Sequence, residues 1–336
     1  MRRALVAGWG PAFAGASIAP GVRRGAVTHR GMLLTVRTHD GAYVAKLSEN
    51  DAFARAAPFA ELKAAALRHA HERGVPVVVP FPTLSGSPAL RGETYSLELN
   101  ELVEGVAWRA RERDDEAAAE AIFALRAAFG ALPPAFADAL APIELVLPVE
   151  NPDSAAALER DVPVLLGEAR GGGDAWSRTA ERALAPLAAL SSDVWTAPPG
   201  RNGVVHGDLH RDHVLLRGRP ARAVAILDFD NLRVDRRTID LAWLADQSAY
   251  PKPGSAAFDL RSPVARIREA LQRRLVQRDE VPLLMPALIA YAVPIVVDIA
   301  KDILRRGIRE RVWLRYLDAL DVSRKLAVHD ALLGAL

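Results

Sequence analysis

Between Val204 and Leu216 the chain carries His206, Asp208, His210, Asp212 and His213, and Asp228-Phe229-Asp230 follows shortly after. Leucine-rich or β-branched runs flank this knot of carboxylates and imidazoles, which is how polar chemistry is placed on a loop between buried strands. Three of the eight histidines lie within the eight residues from His206 to His213, where a simple surface turn would use Gly, Pro, Asn or Ser. Asp208 precedes His213 by five residues, and Asp228 lies fifteen after it, directly behind the apolar run Val224 to Leu227. Phosphoryl transfer needs a carboxylate beside the accepting hydroxyl and ligands that hold Mg²⁺ on nucleotide phosphates. A loop base followed by two ligands on a neighbouring hairpin supplies that set, with Asp208 as catalytic base and His213 and Asp228 facing the metal.

The elements that position these residues follow from the spacing. Leu33 to Thr38 and Ala42 to Leu47, joined by His39-Asp40-Gly41, read as an antiparallel hairpin. Lys46 lies in its second strand on the same face as Val44. Phe53 to Arg73 reads as one amphipathic helix stopped by Gly74, Val75 to Pro80 as an extended run, and Thr94 to Val103 as a strand. The first 104 residues thus read as a small mixed lobe, and residues 105–336 as a helical one containing the central knot. Glu112 to Ala131, Asp174 to Leu190 and most of Thr238 onward read as helix. Pro134 to Gly173, with its prolines and Gly171-Gly172-Gly173, reads as an irregular, variable insertion.

Composition bounds the partners. The 336 residues, 50% hydrophobic and 25% charged, describe an ordinary globular enzyme, and a net charge of +2 makes no case for nucleic acid. The absence of cysteine excludes disulfides and fits a reducing cytoplasm. The basic start and small-residue run of residues 1–19 resemble an export signal, but Gly8, Gly10, Pro11 and Gly15 interrupt it. Val281 to Val297 is uncharged, yet its prolines and Asp298 favour a kinked core helix over a membrane span. A monomer or homodimer is expected.

Together these residues resemble the aminoglycoside phosphotransferase and choline kinase family, which has the protein-kinase-like fold. The resemblance rests on His206-x-Asp208 with a ligand five residues on, Asp228-Phe229-Asp230, and Asp240-Leu241-Ala242. Upstream it includes Val44-Ala45-Lys46, the step Gly74-Val75-Pro76-Val77, and the hinge-like Leu99 to Gly105. It implies an α+β, two-lobed fold with a β-rich N-lobe and a larger helical C-lobe. It also implies ATP or GTP as phosphate donor with Mg²⁺ as metal, Lys46 on the phosphates, a helix glutamate paired with Lys46, and backbone of Glu101 and Val103 against the purine. Asp208 would be the base and Asp228 the main metal ligand, with His206 and Asp240 bracing the loop.

The chain departs from that pattern at three places. His213 stands where the family usually has asparagine, a histidine that resembles the one macrolide phosphotransferases carry there, and an imidazole could shift metal preference toward Mn²⁺. Glu61 is the nearest candidate for the helix glutamate, although Lys63 occupies about the position expected by counting back from Gly74. Only Gly25, Thr28 and Gly31 suggest a glycine loop.

Two other readings compete. Asp208-x-His210-x-Asp212-His213 nearly matches the signature of metallo-β-lactamase-like hydrolases, but His329 is the only later histidine available as a further ligand. An inactive binding module of kinase shape is the other. Residues 261–325 hold 14 basic and 8 acidic side chains, a local +6 that leaves −4 for the rest. That charge disfavours a polycationic acceptor and points to a neutral, apolar or anionic alcohol. An antibiotic or related secondary metabolite is expected, with a primary-metabolite kinase acting on a sugar, amino alcohol or homoserine as the nearest rival.

Overall fold

A computed structural model describes residues 1–20, 27–28, 31–49, 58–93, 95–109, 111–143, 149–150, 152–190 and 200–336. Its first part is an antiparallel sheet built by side-chain alternation. Strands β1 (Ser17–Pro20), β2 (Val27–Thr28), β3 (Gly31–Arg37), β4 (Ala42–Glu49), β5 (Leu90–Arg91) and β6 (Tyr95–Glu101) form it in the order β1-β3-β4-β6-β5, with β2 also on β3. Leu34, Val36, Ala45, Leu97 and Leu99 point to one face and form a small core with Leu5, Phe13 and Ala16. The intervening residues Leu33, Thr35, Val44, Lys46, Glu98 and Asn100 point to the other face and line a cleft. Register places Lys46 directly opposite Glu98. The export-like start is helix α1 (Arg2–Trp9), whose Leu5 is buried in this core.

Helix α2 (Pro58–His71) lies on the cleft side of the sheet. Phe59, Lys63, Ala66, Leu67 and Ala70 make its buried stripe. Its apolar members belong to the large core of the second lobe, as do Val75 and Val77. The expected residues 53–57 of this helix and Gly25 of the glycine loop lie outside the described residues.

The second lobe is helical around short strands. Strand β7 (Val106–Ala107) joins the hairpin of β9 (Val214–Arg217) and β10 (Arg222–Ile226), while β8 (Asn202–Val205) pairs with β11 (Arg233–Arg236). The loops 206–213 and 227–232 therefore leave paired strands side by side, and the amide of Leu227 donates to the carbonyl of His213 at 2.8 Å. Behind them pack α3 (Glu112–Gly130), the fully buried α7 (Ile239–Ser248), α9 (Leu284–Lys301) and α11 (Val322–Ala335).

The stretch expected to be irregular is largely helical, with α4 (Pro134–Leu140) and α5 (Val162–Gly171), before α6 (Ala175–Leu184). Pro134 opens α4, where a missing N–H costs nothing, while Pro163 follows a π-helical stretch, Ala157–Asp161, that runs straight into α5. Asp153 caps a further short turn by accepting from the amides of Ala155 and Ala156. The segment Arg278–Arg306 is long and apolar enough to cross a membrane by length and composition, and most of it is buried within the lobe. Helix α8 (Arg261–Gln272) and α10 (Arg311–Ala319) complete the described helices.

Candidate active site

The loop from His206 to His213 is held by its backbone. His206 is fully buried, and its Nε2 lies 2.9 Å from the carbonyl of Leu227, which can only accept. Nε2 therefore carries the hydrogen, and Nδ1 accepts the amide of Asp208 at 3.2 Å. The Asp240 carboxylate takes the amides of His206 at 3.1 Å and Gly207 at 3.0 Å, and Arg126 donates to it at 3.2 Å. These bonds make His206 and Asp240 the braces of the loop. Gly207 has φ +81°, and a Cβ there would come within 2.0 Å of the Arg233 guanidinium, so only glycine fits.

Asp208 accepts from the amide group of Asn231 at 3.2 Å, and burial holds its carboxyl above the usual carboxylate range. His213 Nδ1 sits 2.7 Å from the carbonyl of Asp208, so Nδ1 carries the hydrogen and Nε2 offers a lone pair. That lone pair faces Asp228 Oδ2 at 3.5 Å. Two acceptors this close repel unless a cation lies between them. Burial holds the His213 ring below its ordinary pKa, so a proton is a poor candidate for that cation. The donor set thus fits a divalent ion, and ligand atoms of Asp208, His210 and His213 lie within 4.8 Å of one another beside it. Two imidazoles in that group suit manganese better than an all-oxygen set would.

Asp228 takes a left-handed conformation, φ 64° and ψ 65°. Lys46 donates to its Oδ1 at 2.8 Å and also contacts Asp230 Oδ2. Burial alone would lower the Lys46 pKa, but Asp228, Asp230 and Glu98 outweigh it and raise it. Burial likewise opposes ionisation of Asp228, and the Lys46 ammonium reverses this and holds it well below the usual range.

The expected pairing of Glu61 with Lys46 is not what the structure shows. Glu61 accepts from Ser87 Oγ at 3.3 Å on the outer side of α2. Two residues of helix turn the side chain by roughly 200°, so Lys63, not Glu61, faces the sheet. Glu101 and Val103 line the cleft together with Leu102, Glu104 and Gly105, in a cavity of about 710 Å³. Its far wall comes from Val312, Arg315, Tyr316 and Ala319 of α10.

Residues 32–276 match the sequence profile of the phosphotransferase enzyme family. The chain belongs to that family. It is a phosphotransferase with an alcohol group as acceptor, and its two-lobed α+β architecture is the family's. A spectinomycin phosphotransferase solved with ADP and spectinomycin is similar at TM-score 0.62 and 12% identity, over 94% of this chain and 93% of that one. A microcompartment-associated aminopropanol kinase is similar at TM-score 0.60 and 14% identity, over 99% and 96%. An amicoumacin kinase solved with AMP-PNP, Ca²⁺ and Ami is similar at TM-score 0.58 and 11% identity, over 98% and 92%. At such identities the likeness concerns the fold. No curated protein sequence matches the chain.

Several residues of this phosphotransferase site carry roles that the sequence analysis did not assign. Asp230 binds Lys46 and Lys63, Asn231 holds Asp208, and Arg315 of α10 pairs with Asp212 at the cleft mouth. The repeated carboxylate of Asp228-Phe229-Asp230 was the available signal for Asp230; nothing in the spacing marks α10, a hundred residues further on.

Three imidazoles, His206 buried and His210 and His213 half-buried, give the phosphotransferase an acid limit. Burial is the largest cause lowering the pKa of each of His206, His210 and His213, and it takes His210 from 6.5 to about 4. The unfolded chain therefore binds more protons between those values, and unfolding free energy rises with pH there. The stability due to neutral rings is complete above pH 6.5 and is lost as pH falls through about 4. Urea titrations across this window should show that loss, and His210→Gln should make the slope shallower; an unchanged slope would place the titration elsewhere.

Proposed function

We propose that this phosphotransferase moves the γ-phosphate of ATP or GTP onto a hydroxyl of a small molecule in the cytoplasm, most simply an antibiotic or related secondary metabolite. The observation that carries this reading is the convergence of Lys46, Asp228, His213 and the hinge backbone on one cleft, with Asp208 beside them. Lys46 binds nucleotide phosphate, and the backbone of Glu101 and Val103 meets the purine. His213 and Asp228 hold Mg²⁺ or Mn²⁺, which when bound neutralises charge on the phosphates. Asp208, anchored through Oδ2 by Asn231, receives the proton of the acceptor hydroxyl at its other oxygen. Its raised pKa makes it a better base than an exposed carboxylate.

The acceptor follows from what surrounds Asp208. The local +6 is largely offset by carboxylates outside the segment: Arg273 pairs with Glu120, Lys301 with Asp161, Arg305 with Glu168, Arg306 with Glu150, Arg309 with Asp174 and Arg324 with Asp246, while Arg306 also holds Asp298 and Asp302. Asp298 and Asp302 are thereby engaged, and little free charge remains to select an anionic acceptor. Tyr291 and Tyr316, whose hydroxyl pKa values are raised by burial and then by Asp208, stand within electrostatic reach of the base. Aromatic walls of this kind favour a carbon-rich, neutral acceptor face. The similarity to an aminopropanol kinase keeps a primary-metabolite amino alcohol as the second reading.

A phosphate-transfer screen with ATP and GTP, Mg²⁺ and Mn²⁺, against antibiotics, amino alcohols, sugars and homoserine tests the proposal. No turnover together with no nucleotide-dependent thermal shift would sink it, and tightly held zinc in the purified protein would favour a hydrolase. In the same assay His213→Asn should keep or raise Mg²⁺-supported turnover and lower the Mn²⁺ to Mg²⁺ rate ratio. Complete loss with both metals would mean that the imidazole has another task.

A further inference from the structure

Helix α2 presents a core stripe to the protein interior, and one member of that stripe is a lysine. Lys63 lies among Phe59, Ala66, Leu67 and Ala70 and is 5% exposed. Burying an ammonium there is costly unless it is fully paired. Its Nζ donates to Glu98 Oε1 at 2.6 Å and to Asp230 Oδ1 at 3.0 Å. The other oxygen of Asp230 meets Lys46, which also holds Asp228. The result is a half-buried chain of alternating charge, Glu98 to Lys63 to Asp230 to Lys46 to Asp228, in which the Asp230 carboxylate bridges two lysines with one oxygen each.

In the arrangement expected from the family resemblance, the helix supplies a carboxylate that holds the strand lysine. Here the helix supplies a cation, and the carboxylates that reach Lys46 come from the loop of Asp228 and Asp230. The two lysines and three carboxylates together carry −1, as would a single lysine with a helix glutamate and a metal-binding aspartate. The reversal therefore leaves the charge offered to a metal–nucleotide complex unchanged and alters only which element controls it.

We propose that Lys63 is a positioning residue of the nucleotide site: by clamping one oxygen of Asp230 against Glu98, it turns the other oxygen toward Lys46 and so sets where Lys46 meets phosphate. This rests on the proposed nucleotide-dependent transfer. Without Lys63, Asp230 keeps Lys46 as its only cation and draws it away from the phosphates.

The test is the affinity of the full chain for the Mg²⁺ complexes of non-hydrolysable ATP and GTP analogues, measured by calorimetry beside thermal unfolding. Glu98→Gln, which leaves Lys63 on Asp230, should change the dissociation constant less than Lys63→Met does while lowering the melting temperature. Lys63→Met should weaken binding by about tenfold or more, the worth of a lost charge-assisted bond. Should that variant fail to fold, Lys63→Met/Glu98→Gln carries the test, because it removes both charges of the pair and leaves neither ion without its partner. The double variant should recover the melting temperature and leave the affinity weak. Recovery of both properties, or wild-type affinity in Lys63→Met, would overturn the positioning role and leave a structural ion pair. Wild-type protein that binds neither analogue would overturn the transfer reading itself, and this inference with it.

Discussion

Asp208→Asn is expected to lower kcat for phosphate transfer by about 10²–10⁴-fold, the range for loss of a general base. Nucleotide affinity should stay near wild type, because the contacts of Lys46 with Asp228 and Asp230 do not involve Asp208. The replacement is isosteric, so the loop keeps the bonds that run through its backbone: the Asp208 amide to His206 and the Asp208 carbonyl to His213. The side-chain oxygen can still accept from Asn231. What is lost is the capacity to take a proton. Because burial raises the Asp208 pKa, the wild-type rate should fall on the acid side beginning above the ordinary carboxylate range, with activity restored as pH rises through the raised value. The residual rate of the variant should lack that limb. A pH–rate profile for both proteins with one accepted substrate decides it, and near-wild-type turnover in the variant would remove Asp208 from the chemistry.

Asp240→Ala is expected to destabilise the fold by about 3–5 kcal/mol, the usual cost of removing one partner of a buried pair. Asp240 is fully buried and takes two loop amides and the Arg126 guanidinium. Alanine would leave Arg126, 7% exposed, with the carbonyl of Val204 at 2.6 Å as a neutral partner for a full charge. It would also strand the amides of His206 and Gly207. Turnover should fall further than stability alone accounts for, since those amides fix the residue before Asp208. Urea unfolding measures the cost; a loss below about 1 kcal/mol would mean that water or a rearranged neighbour replaces the carboxylate.

Much of the fold could be read from short-range pattern. The hairpin of β3 and β4 follows from alternation around Asp40-Gly41, and α2 from its stripe and Gly74. The loop bearing Asp208 shows because ionisable residues crowd between apolar strands. What escaped depends on direction and distance. Glu61 and Lys63 differ by two positions, and sequence spacing alone did not fix which of them turns toward the sheet. The helices between Pro134 and Gly173 were hidden because proline at a helix start looks like proline in a loop. The local positive charge of residues 261–325 suggested a neutral, apolar or anionic partner on the ground of unspent charge, whereas its arginines find carboxylates as far off as Glu120, Glu150 and Glu168, which no local count can anticipate.

The segment behind Gly74 does more than join helix to strand. The amide of Ile226 donates to the carbonyl of Pro76 at 2.6 Å, Val77 bridges to Ile226 in parallel, and Val75, Val77 and the stripe of α2 share the large core of the second lobe. In mechanical terms α2 travels with the catalytic loops, and the sheet is the separate rigid plate. Any opening of the cleft along that division would slide the sheet past α2, and the Lys63 to Glu98 bond, which joins the two, is the contact it would have to break.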